Sequence, residues 1–98
     1  MNVNEVMKVL AANRAELARF HVRSLRLFGS VARGEGTSGS DVDLLVDFEQ
    51  GARISLFRFV ELKALLEQLL GCRVDLGTSD VLRPRLRERI LREAIRVA

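Results

Sequence analysis

Two short segments of this chain hold the residue types from which phosphate and metal chemistry is built. Gly29-Ser30 closes one apolar run, and after the ten residues 31–40 the next apolar run opens with Asp41-Val42-Asp43. Glycine lets a backbone approach a ligand closely. A serine that opens a helical turn sets free N–H groups and the positive end of a helix dipole where phosphate oxygens can meet them. Carboxylates two residues apart on a strand point to the same side, about 6 to 7 Å apart along the backbone, so the pair can share oxygen-seeking cations such as Mg²⁺. Either feature alone is weak, because Gly-Ser turns are common and Asp-x-Asp also suits a solvated strand end. Together they match what nucleotide transfer from a triphosphate needs: the polyphosphate held, the charge on the reacting phosphorus and the leaving pyrophosphate neutralised, and an acceptor deprotonated.

Two further carboxylates can be sorted by position. Asp47 shares the face of Asp43 but sits roughly 13 Å further along the strand, too far to join the same site. It is expected to be a solvent-exposed or structural group. Asp75, which lies 32 residues beyond Asp43, interrupts the apolar run Val74-Asp-Leu76, where a charge is costly unless paired, hydrated or metal-bound. That makes Asp75 the natural third ligand.

These groups can meet only if particular elements carry them. Arg23, Ser24 and Arg26 alternate with apolar neighbours from Val22 to Phe28, the pattern of a half-buried strand, and Val42 to Phe48 alternates in the same way. The end of the first strand must face the start of the second, so the two are expected to be adjacent and antiparallel. Ahead of them, Asn2 with Glu5 and Asn13 with Glu16 resemble capping pairs for a helix that breaks near Ala12. Ser55 can cap a helix rich in buried leucines that Gly71 stops, Cys72 to Leu76 reads as a third strand, and Pro84 opens a last helix running to about Val97. The predicted order is α-α-β-α-β-α-β-α.

The 98 residues allow one domain, spanning 1–98, with no room for a second that would present a substrate. No apolar run reaches the roughly 20 residues of a membrane span, and Asn2, Asn4 and Glu5 do not suit a signal peptide, so a cytoplasmic protein is expected. Cys72 is the only cysteine and His21 the only histidine, so neither a disulfide nor a cysteine zinc site can form within the chain, and both residues read as structural. The net charge of +3 comes with arginines crowded toward residue 96, which leaves an acidic partner, RNA or a protein surface open.

Phe28-Gly-Ser-Val-Ala-Arg-Gly-Glu35, Ser40-Asp-Val-Asp-Leu44, and Val74-Asp-Leu76 with Leu82-Arg-Pro84 together resemble the motifs of minimal nucleotidyltransferase proteins of the DNA polymerase beta superfamily. The likeness covers nearly the whole chain. It implies an α/β (α+β) domain with a small mixed sheet of three to four strands flanked by helices, like the polymerase beta palm. It also implies transfer of AMP from ATP with two Mg²⁺ ions. Many such proteins are antitoxins encoded beside a HEPN-domain toxin, and the resemblance implies that a tyrosine of this toxin receives the AMP and the toxin is silenced. Carried over by position, Gly29 and Ser30 would hold the triphosphate, Asp41 and Asp43 would ligate both metals, and Asp75 would ligate the catalytic metal and help activate the acceptor hydroxyl. Arg33 and Glu35 match the motif, and Arg33 either touches phosphate or braces the loop. Gly77 departs from the larger apolar residue that would suit its place and is expected to loosen that strand end.

The acceptor, or the surface presenting it, must then come from another molecule, giving a hetero-oligomer with the toxin. Along the last helix Leu86, Ile90, Ala94 and Val97 fall on one stripe, with Leu91 and Ile95 beside it and Arg87 intruding. Its arginines suit either a solvated face laced with ion pairs or a partner surface. Two alternatives stand beside the enzyme reading. One is a binding module that neutralises its partner by occlusion; the other is a transferase acting on RNA or a small molecule.

Overall fold

The computed structural model describes residues 1–36, 41–78 and 84–98. Residues 37–40 and 79–83, with the motif residues Ser40, Leu82 and Arg83 and the polar turn expected near Asp80, lie outside the described residues.

Helices α1 (Val3–Ala12) and α2 (Arg14–Arg19) come first. The Asn2 side chain accepts the Glu5 amide at 2.9 Å, as the capping pair predicts. Asn13 makes no side-chain cap hydrogen bond at the start of α2, contrary to the capping pair expected with Glu16; its side-chain Nδ2 instead donates to the Val9 carbonyl at 2.8 Å, at the end of α1. At the turn into the sheet His21 adopts a positive φ of 59°, and its carbonyl accepts the Glu49 amide at 2.8 Å. The residue thus has a backbone role at this turn.

The sheet order is β3-β2-β1-β4. Strands β1 (Val22–Phe28) and β2 (Val42–Phe48) pair antiparallel, as the site requires, with the four-residue helix α3 (Gly29–Ala32) between them. An extra residue in β1 between Val22 and Ser24 forms a bulge. Helix α4 (Leu56–Leu70), capped by the Ser55 hydroxyl and ended by Gly71 at φ 68°, carries the chain across to β3 (Val74–Thr78), which pairs parallel to β2. Gly77 does not end this strand, which pairs on through Thr78.

One face of the sheet makes the core. Leu25, Leu27, Val42, Leu44 and Val46 pack with Val6 and Leu10 of α1 and Leu62, Leu66 and Leu70 of α4, all buried. The alternation of β2 puts Asp43, Leu45 and Asp47 on the other face. There Asp47 is half-buried and accepts a hydrogen bond from the Ser24 hydroxyl at 3.2 Å, the structural use foreseen for it.

The end of the chain departs from the sequence reading. Helix α5 stops at Glu93 (Pro84–Glu93), and Ile95–Arg96 form β4 on the outer edge of β1. The Val97 amide donates to the Leu25 carbonyl at 2.9 Å, and the Leu25 amide to the Ala98 carbonyl at 3.1 Å. The spacing of Ile90, Ala94 and Val97 suits a helix, but Ile95 to Val97 also alternates, and an open sheet edge offers backbone partners that one more helical turn would leave unused. Val97 thus enters the core at 5% exposure, whereas Leu86 of α5 keeps 47%. Arg87, expected to intrude on an apolar face, is exposed. The third strand also begins two residues later than its apolar pattern suggests, because Gly71 in the left-handed conformation turns the chain before pairing starts.

If β4 rather than a longer helix closes the core, Val97→Ala should cost about 1 to 3 kcal/mol in denaturant unfolding, and Leu86→Ala less than about 1 kcal/mol.

Candidate active site

Antiparallel pairing sets Phe28, the last residue of β1, opposite Asp43, the second of β2. The chain must leave β1 there without striking that carboxylate. Gly29 does so at φ 76°, and a Cβ on it would run into the Asp43 side chain. The glycine and the aspartate are therefore in direct apposition. Helix α3 follows, anchored by buried Val31. Its first i→i−4 bond runs from the Arg33 amide to the Gly29 carbonyl at 3.2 Å. The Ser30, Val31 and Ala32 amides precede that bond, which leaves their N–H groups for other acceptors.

Asp75 arrives from the other side, since parallel pairing puts it beside Asp43. Asp41 lies just before β2 and is exposed. Burial pushes the Asp43 carboxyl above its ordinary range, Asp75 and then Asp41 push it further, and Arg33 pulls it back. The four side chains thus share one electrostatic field, which the sequence could only suggest. Arg33 is held by Glu35, Nε to Oε2 3.2 Å. It also lowers the Asp43 carboxyl.

Some participants were not visible in the sequence reading. Asp41 and Asp75 line a cavity of about 310 Å³ with Lys63, Glu67, Arg73 and Val74. Glu67 accepts the Val74 amide at 3.2 Å and so pins β3 one residue before Asp75. Arg73, two residues before Asp75, had the signal that linked Asp41 to Asp43, an i, i+2 relation on a strand face. A larger cavity of about 880 Å³, lined by Arg23, Asp47, Phe48, Ile54, Leu56 and others, opens at the opposite end of β2 and includes none of these site residues.

The donor set suits Mg²⁺, being all carboxylate oxygen with mutual repulsion that a cation would relieve. Among the described residues no three such side chains close into a metal cage as they stand.

The fold and this face define a nucleotidyltransferase, and residues 6–97 match the nucleotidyltransferase domain family, to which the chain belongs. It is 44% identical over 98 residues to the protein adenylyltransferase MntA of Thermococcus cleftensis, covering 99% of this chain and 97% of that one. A relative from Methanocaldococcus jannaschii is 40% identical over 97 residues, with 99% of both chains covered. A solved structure described as a minimal nucleotidyltransferase superposes with a TM-score of 0.80 at 46% identity, covering 97% of this chain and 95% of the other. A toxin–antitoxin crystal structure with AMP-PNP shares the fold at TM-score 0.69 and 22% identity, with 100% and 73% covered. The chain is accordingly an enzyme of the nucleotidyltransferase class, similar along its whole length to a protein adenylyltransferase.

Two outcomes follow from the apposition of Gly29 and Asp43. Gly29→Ala should lower stability by about 1 to 2 kcal/mol or more, from left-handed strain and the displaced carboxylate, and abolish ATP binding in calorimetry. Asp43 has a folded-state pKa above its unfolded value, so the folded chain binds more protons in that window and loses stability as pH rises through it. Asp43→Asn should therefore melt above the parent at neutral pH without metal, and the gap should close in acid, where the parent carboxyl is neutral.

Proposed function

We propose that this chain transfers AMP from ATP to a tyrosine hydroxyl of a HEPN-domain toxin and acts as its antitoxin. The carrying observation is the three-strand alignment of Gly29-Ser30, Asp43 and Asp75, with Asp41 coupled to it. The whole-chain similarity to a protein adenylyltransferase supports the reaction type. The partner class is supported by the shared fold with a toxin–antitoxin assembly.

In this mechanism Ser30 and the first amides of α3 hold the β- and γ-phosphates, with Gly29 leaving room for them. Asp41, Asp43 and Asp75 would hold two Mg²⁺ ions, which supply charge neutralisation at the α-phosphate and pyrophosphate and favour the ionised acceptor. Asp75 orients the tyrosine hydroxyl and takes up its proton. The phenolic oxygen forms a new bond to the α-phosphorus while the bond from that phosphorus to the oxygen bridging to the β-phosphorus breaks, and pyrophosphate leaves on the Gly29-Ser30 side. Arg33 lies close enough to the carboxylates to offset part of the charge.

The test is mass spectrometry of the toxin from the neighbouring reading frame, incubated with the purified chain, ATP and Mg²⁺. The parent should add AMP. Asp43→Ala should lower the rate by at least about 10³-fold, and chelation of the metal should stop it. Absence of added AMP, with Asp41→Ala and Asp43→Ala protecting cells as well as the parent, would replace this mechanism with neutralisation by occlusion.

A further inference from the structure

The cavity beside Asp75 holds two cations that the reaction above leaves without a task. Arg73 precedes Asp75 by two residues, and its carbonyl accepts the Val42 amide at 2.9 Å, which sets it next to Asp41. Lys63 comes from α4, one turn before Glu67, and lines the same cavity. Both cations are exposed. Although three carboxylates line the cavity with them, neither makes an ion pair among the described residues.

The strand order gives the site a direction. Gly29-Ser30, Asp43 and Asp75 follow one another from β1 through β2 to β3, with neighbouring strands about 4.8 Å apart. A triphosphate resting on Gly29 and Ser30 occupies the β1 side. In-line transfer puts the attacking oxygen opposite the leaving pyrophosphate, on the β3 side, where this cavity opens.

We propose that Lys63 and Arg73 form an acceptor subsite that selects a polypeptide segment carrying acidic residues beside the hydroxyl that receives AMP, an inference resting on the protein-acceptor reading above. A cavity of about 310 Å³ has room for one or two side chains. None of its described lining residues is aromatic, so among these it offers no platform on which bases would stack. A continuous polyanion such as RNA would face Asp41, Glu67 and Asp75 as well as the two cations. A peptide can set a carboxylate on each cation and a neutral hydroxyl against Asp75.

The experiment compares three acceptors with ATP and Mg²⁺: a peptide with tyrosine flanked by glutamates, the same peptide flanked by lysines, and an RNA oligonucleotide with a free 3′-hydroxyl. The enzymes are the parent, Lys63→Glu/Arg73→Glu, and the charge-conserving Lys63→Arg/Arg73→Lys. ATP binding and thermal melting are measured separately for each. The parent should favour the acidic peptide by at least about tenfold in kcat/KM, a preference reversed by the glutamate pair and kept by the conservative pair. Equal use of both peptides, a preference that survives charge reversal, or better labelling of RNA overturns the subsite. ATP binding with no label on any acceptor overturns the subsite together with AMP transfer to protein, and so distinguishes the two failures.

Discussion

The close approach of Gly29 to the Asp43 carboxylate is the constraint on which the rest of the site depends. It exists because antiparallel pairing ends β1 opposite the second residue of β2, so the chain must turn over a charged side chain. Only a residue without a Cβ can make that turn at φ 76°. The Gly29 turn and the Asp43 carboxylate are therefore one object made from two strands. A one-residue slip in register would send Asp43 into the core and bring Val42 or Leu44 to the site face.

That object is held by the fold and opposed by its own charge. The core packs on the far face, where Leu25, Leu27, Val42, Leu44 and Val46 meet α1 and α4, so the carboxylates lie on strands fixed from behind. On the open face Asp75 and Asp41 both act to raise the Asp43 carboxyl. The same arrangement accounts for Glu67: the hydrogen bond it accepts from Val74 fixes the edge strand one residue before Asp75, where pairing to β2 alone secures only one side.

Much of this was legible in the sequence because the signals were local. The alternation from Val22 to Phe28 and from Val42 to Phe48 gave both strand boundaries as observed. Gly29 and Asp43 stood out by residue type and Asp75 by interrupting an apolar run, although its side chain proves to be exposed and carries no burial cost. What stayed hidden depended on distant partners. Ile90, Ala94 and Val97 support a helix by spacing, and only the free edge of β1, some seventy residues earlier, turns 95–96 into a strand. Lys63 and Arg73 were two cations among sixteen; their distinction comes from the parallel crossover, which brings α4 and the start of β3 up to Asp41.

That crossover also bears on how the domain reaches its native state. β1, α3 and β2 are contiguous, so their hairpin brings Gly29 and Asp43 together by closing a short loop. Asp75 is brought in through α4 by a parallel connection of much greater sequence separation, and such pairings form slowly because loop closure precedes the contacts that reward it. A partly folded chain can hold the hairpin and still lack its third carboxylate. Of the three carboxylates, Asp75 is the one whose placement depends on the pairing of greatest sequence separation.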